Sequence, residues 1–165
     1  MGFKKIFIGT ILILLDFRIQ GLNIIPDIIG YILIFIGLSE IIHLNSKFAV
    51  ARIMSIILIL FSIPDIYSIN TESPSGLFYF INIITSIIYL IYSYSLYIGI
   101  KENAEGINNE DLANKAQLSC ILAVVSCLSG IIVLINPFFM IPLLILVIVT
   151  LVIQLLTLSM AKDLE

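Results

Sequence analysis

Four polar side chains, Asn82, Ser86, Tyr89 and Ser93, recur at intervals of three and four residues inside an apolar run. On a helix turning 100° per residue they fall within about 60° of one line, with Thr85 and Tyr97 on its edges. A later apolar run carries Thr150, Gln154, Thr157 and Ala161 on one face, and the run before it carries Ser119, Ala123, Ser126 and Gly130. Such stripes support two kinds of chemistry. They can meet inside a bundle and hydrogen-bond across helices, each bond being worth about 0.6 kcal/mol. Alternatively, Asn82, Ser86, Tyr89, Ser93 and Gln154 line a polar path for a solute. No carboxylate accompanies them at the same depth, so coupling to protons is poorly supported.

A second constellation joins Asp16, Arg18, Asp27 and Asp65, all near the ends of apolar runs. Three carboxylates and one guanidinium suit either a salt-bridged clasp or a weak cation site. Asp27 follows Pro26 at a helix start, where the helix dipole favours an anion. Asp65 follows Pro64 near a helix end, and charges at span ends commonly reach for water. The structural reading is therefore preferred. Glu40 and His43 are neighbours three apart on a helix, a poor metal pair without further ligands. Neither H-E-x-x-H, G-x-S-x-G nor a phosphate-cradling glycine loop occurs, so no catalytic, metal or cofactor residue is assigned and enzyme is the least favoured class. Cys120 and Cys127, seven apart on one helix, would sit about 10 Å from each other, beyond the reach of a disulfide. They are expected to be reduced packing residues.

The elements that must position these side chains follow from composition. The chain has 165 residues, 61% hydrophobic and 12% charged, against about half and about a quarter in an ordinary soluble domain. Six apolar stretches, 3–20, 26–44, 48–67, 77–100, 118–135 and 143–160, approach the roughly 20 residues that a bilayer crossing needs. The polar segment 101–117 reads as a loop, helical in part along 109–117. Lys4, Lys5, Lys47, Arg52, Lys101, Lys115 and Lys162 fall on one side of this layout and Arg18 alone on the other. That asymmetry predicts an all-α integral membrane bundle of six transmembrane helices, with both termini cytoplasmic. All five prolines fall at or near the opposite side, as tight external turns require. The first stretch follows Lys4 and Lys5 but lacks a small-residue cleavage site, so it reads as a retained span. On the second, Gly30 and Gly37 are seven apart and suit the close approach of another backbone. The predicted partner is the lipid bilayer; no basic cluster of the nucleic-acid kind is present.

The stretch Asp16-Phe17-Arg18-Ile19-Gln20-Gly21-Leu22-Asn23-Ile24-Ile25-Pro26-Asp27-Ile28-Ile29-Gly30-Tyr31 resembles the start of a loose group of small multi-pass membrane proteins of low-GC Gram-positive bacteria. Those tend to read D-x-x-I-x-G-x-D-I-L-P-D-x-I-G-Y before a second apolar helix. Asn23 stands where the pattern usually carries an acid, which weakens the idea of a carboxylate-rich cation site. The resemblance implies a bacterial plasma membrane and nothing catalytic. The expected function is structural or accessory, as a homo-oligomer or within a larger membrane complex. A small transporter or channel subunit is the alternative.

Overall fold

A computed structural model describes residues 1–15, 18–19, 22–23, 27–66, 76–135 and 137–165, with side chains at 1–14, 27–63, 80–81, 83–129 and 138–165. The described residues form six α-helices: α1 (Gly2–Leu15), α2 (Asp27–Ile41), α3 (Ser46–Ile66), α4 (Gly76–Gly106), α5 (Glu110–Ile135) and α6 (Met140–Met160). Each packs on the next in sequence, and α1 also packs on α6, which closes the six into a ring. Short connections between antiparallel neighbours give this up-and-down order.

The distribution of polarity is that of a membrane protein. Ile8, Ile36, Leu60, Ile87, Leu128 and Ile148, one from each helix, are exposed, while Ser55, Ser119, Gln154 and Thr157 are buried. A soluble monomer rarely exposes more than a few hundred Å² of contiguous apolar surface, whereas lipid solvates such a girdle. The chain is thus an all-α, integral membrane helical bundle. Among the described residues, α3, α4, α5 and α6 are long and apolar enough to cross a bilayer. Helices α1 and α2 have 14 and 15 residues, shorter than the expected stretches 3–20 and 26–44. Beyond α1, Arg18–Ile19 pairs antiparallel with Leu22–Asn23 in a two-residue ladder, so that stretch is not one continuous helix.

The expected loop 101–117 is almost entirely helical. Helix α4 runs on to Gly106, about 46 Å at 1.5 Å per residue, and only Ile107–Asn109 separates it from α5. Asn108 takes a left-handed φ of 57°, a conformation that Asn tolerates better than most residues. The Asn109 amide donates back to Ala104 O at 2.8 Å, and its side-chain Oδ1 accepts from Leu112 N at 3.1 Å. One asparagine therefore closes α4 and caps α5. Polar composition masked two amphipathic helix ends whose apolar residues, Ala104, Leu112 and Ala116, are fully buried.

Helices α1 and α2 meet backbone to backbone. Gly9 lies against Gly30, and Gly2 against Gly37, two pairs seven residues apart along each antiparallel helix. A Cβ on Gly9 would come within 2.5 Å of Gly30 O, and one on Gly37 within 2.6 Å of Gly2 O. Only glycine permits so near an approach, and close packing holds helices together where lipid supplies no hydrophobic drive.

Among the described side chains, the basic residues gather at one end of the ring. There the Met1 ammonium pairs with Glu165, Lys5 pairs with Glu40, and Lys162 Nζ sits 4.7 Å from the Phe7 ring centroid. Lys101 and Lys115 make (i, i+4) pairs with Glu105 and Asp111 at 3.6 and 2.9 Å. Behind them the bundle is solid: Phe3, Ile6, Leu38, Leu96, Ile100 and Leu158 are each at most 1% exposed.

Candidate functional site

Away from that sealed end the interior opens. A cavity of about 420 Å³ lies among Thr85, Ser86 and Tyr89 of α4, Ser126 of α5, and Thr150 and Gln154 of α6. Tyr31 of α2 completes its wall, and Ala123, Cys127, Val147 and Leu151 make much of it apolar. The volume lies within the ~300–1,000 Å³ usual for small-molecule sites, which combine apolar walls with a few placed polar groups. A smaller cavity of about 30 Å³ adjoins it, with Tyr89, Leu151 and Gln154 common to both. Thr10, Tyr92, Ser93 and Tyr97 belong to the smaller one.

Helical periodicity explains the gathering. Along α4, exposed Ser86, half-buried Tyr89 and fully buried Ser93 lead from the mouth of the larger cavity into the smaller one, while Ile83, Ile87 and Ile91 are exposed. Across the interior, Thr150, Gln154 and Thr157 are spaced by four and three residues on α6 and all are buried. Helix α5 binds to that same face through paired hydroxyls, Ser119 to Thr157 and Ser126 to Thr150, both at 2.9 Å. Each threonine hydroxyl also donates within α6, to Ile153 O and Leu146 O. A hydroxyl has one donor and two acceptor sites, so both threonines still accept a bond from their serine.

Removing the innermost pair should cost little but measurably. Ser119→Ala and Thr157→Val, made singly and together, are expected to couple by about 0.6 kcal/mol. Unfolding of the four proteins in mixed micelles reads this, and a coupling of zero would show that the pair contributes only shape.

Of the residues singled out in the sequence, Ser86, Tyr89, Ser93 and Gln154 line the joined cavities. Asn82 lies within α4, but its side chain falls outside the described ones. Asp16 also lies outside the described residues, as do the side chains of Arg18 and Asp65; Asp27 is the first residue of α2. His43 is exposed, and Glu40 pairs with Lys5 of α1 rather than with Lys47 or Arg52. Both cysteines are free, Cys120 buried in α5 and Cys127 facing the larger cavity rather than lipid alone.

Sequence reasoning missed Tyr31 and Tyr92. Tyr92 stands three residues after Tyr89, a spacing that keeps two side chains adjacent on a helix, and their ring centroids are 5.9 Å apart. That spacing was a usable signal. Tyr31 adjoins Gly30, on a face that looked fully accounted for by packing.

Fold and site together define an α-helical membrane bundle with a half-open cleft between α2, α4, α5 and α6 that no charged side chain lines among the described residues. No family model matches the chain, and no curated protein or solved structure matches it either.

Proposed function

We propose that this chain is an integral protein of a bacterial plasma membrane. It crosses the membrane six times with both termini in the cytoplasm, and serves as an accessory subunit that holds a small ligand within the bundle. The observation that carries this reading is the pairing of a 420 Å³ chamber with a solid apolar core at the basic end. Such a cleft can hold a molecule, and among the described residues the packed core closes it toward the basic end. The count of basic residues, seven against one, supports placing the solid end in the cytoplasm. The resemblance of residues 16–31 to bacterial multi-pass proteins supports the compartment.

A second reading is favoured by the alignment of Ser86, Tyr89 and Ser93 opposite Gln154. A small transporter or channel subunit would use that polar path along α4 and α6, and would need the core around Leu38 and Leu96 to part. Proteoliposomes containing only this chain separate the two. No solute flux above protein-free vesicles is the expected result. Flux that disappears in Gln154→Leu would carry the transporter reading instead. Blue-native electrophoresis of the source membranes should place the 18.4 kDa chain in a larger assembly; a lone monomer would count against an accessory role.

A further inference from the structure

The Tyr92 hydroxyl is an anomaly. The residue is 4% exposed, yet its Oη has no hydrogen-bond partner among the described residues. A buried polar group without a partner is costly and calls for an explanation. Tyr92 belongs to the wall of the 30 Å³ cavity. A space of that size accepts two or three groups as large as a water molecule, since each needs about 10–15 Å³. The larger chamber, which shares Tyr89, Leu151 and Gln154 with it, is mostly apolar. No acidic or basic side chain lines either space among the described residues, so an ionic ligand would lie unpaired in low dielectric.

We propose that the two cavities form one site for an uncharged amphiphile, whose apolar body fills the chamber and whose single hydroxyl enters the small cavity to hydrogen-bond Tyr92. The inference rests on the chamber being a ligand site, and it adds the ligand's chemical class and the residue that reads it. The phenol ring of Tyr92, tilted 43° against Tyr89, is held in place while its hydroxyl remains able both to donate and to accept. A ligand hydroxyl can take either part.

The test uses the purified full chain in detergent micelles and three probes of similar shape: 4-hexylphenol, hexylbenzene and 4-hexylbenzoate. Titration calorimetry measures saturable binding, with the Tyr92→Phe variant in the same micelles as reference. Tyr92→Phe keeps the ring and deletes only the orphan oxygen, so its unfolding midpoint should equal or exceed the parent's. Hexylphenol should bind roughly tenfold more tightly than hexylbenzene, the value of one net hydrogen bond. That advantage should vanish in Tyr92→Phe, persist in Tyr94→Phe on the exposed face, and be absent for the benzoate anion. Equal binding of hexylphenol and hexylbenzene, or an unchanged ratio in Tyr92→Phe, would mean that water alone serves the Tyr92 hydroxyl. Either result overturns the inference while leaving an apolar ligand chamber in place. Benzoate binding as tight as that of the phenol would overturn the exclusion of charge. Saturable binding by none of the probes would remove the ligand site itself.

Discussion

Gly9→Val should leave little or no folded bundle. The first atom of the new side chain would come within 2.5 Å of Gly30 O and 2.9 Å of Ile34 Cγ1. A flexible side chain could turn away, but the nearest neighbour is backbone, so relief requires α1 and α2 to separate. Separation at Gly9 also loosens the Gly2–Gly37 contact one heptad away, because both pairs belong to one straight seam. Overpacking a well-filled core costs about 1–3 kcal/mol when side chains can adjust, and here they cannot. In a bilayer the loss weighs more heavily, because packing is the main force between helices. Gly106→Val is the matched control: a Cβ there meets nothing within 4 Å. Unfolding in mixed micelles should show Gly9→Val unfolded or lowered by well over 10 °C, and Gly106→Val close to the parent (about 4–8 °C corresponds to 1 kcal/mol in a small domain). Equal midpoints for the two variants would show that α1 and α2 are not in backbone contact.

The second large effect is expected at Phe48. Its ring is fully buried, meets Phe3 edge to face at a centroid distance of 5.8 Å, and covers Gly99. It therefore ties α3 to α1 and α4 at the closed end. Phe→Ala in a soluble core costs about 3–5 kcal/mol. Here the expected loss is about 2–3 kcal/mol, since lipid solvates an apolar side chain almost as well as the core does and mainly the packing term remains. Gly99→Ala alone is also destabilising, because its Cβ would press to 2.7 Å from Phe48 Cε1. In the double variant Phe48→Ala/Gly99→Ala the added methyl occupies space that the ring has left. The combined loss should then fall short of the sum by about 1 kcal/mol, the usual scale of coupling between touching residues. Strict additivity would place Phe48 elsewhere than over Gly99.

Much of this architecture is legible in the residues, for identifiable reasons. A membrane bundle expels charge from long apolar segments, so six helices and the segregation of basic residues can be read from hydropathy and counting. The stripe Ser86–Tyr89–Ser93 was legible because a helix repeats every 3.6 residues, and Gln154 because a buried amide interrupts an otherwise apolar run. Pairing is a different kind of information. Gly30 and Gly37 announced a close contact, but nothing in their own segment named Gly2 and Gly9 as the partners; equal spacing of seven was the available clue. The segment 101–117 misled because Lys101, Glu102, Glu105, Glu110 and Asp111 outweigh its buried Ala104, Leu112 and Ala113 in any average of polarity. Helix α4 instead continues unbroken to Gly106. The chamber itself was only half visible. Its polar walls follow from periodicity, but the solid core beneath it depends on how side chains from α1, α2, α4 and α6 fit together, which no single segment encodes.

The orientation of the ring is the claim on which the rest depends, and cysteine labelling in intact cells tests it most directly. In a Cys120→Ala/Cys127→Ala background, Asn108→Cys marks the turn at the basic end, and Phe138→Cys marks the 83% exposed turn at the opposite end. A membrane-impermeant maleimide should label Phe138→Cys in intact cells and Asn108→Cys only after the cells are opened. Labelling of Asn108→Cys from outside, or of both positions from the same side, would contradict a bundle that faces its basic end to the cytoplasm and its chamber away from it.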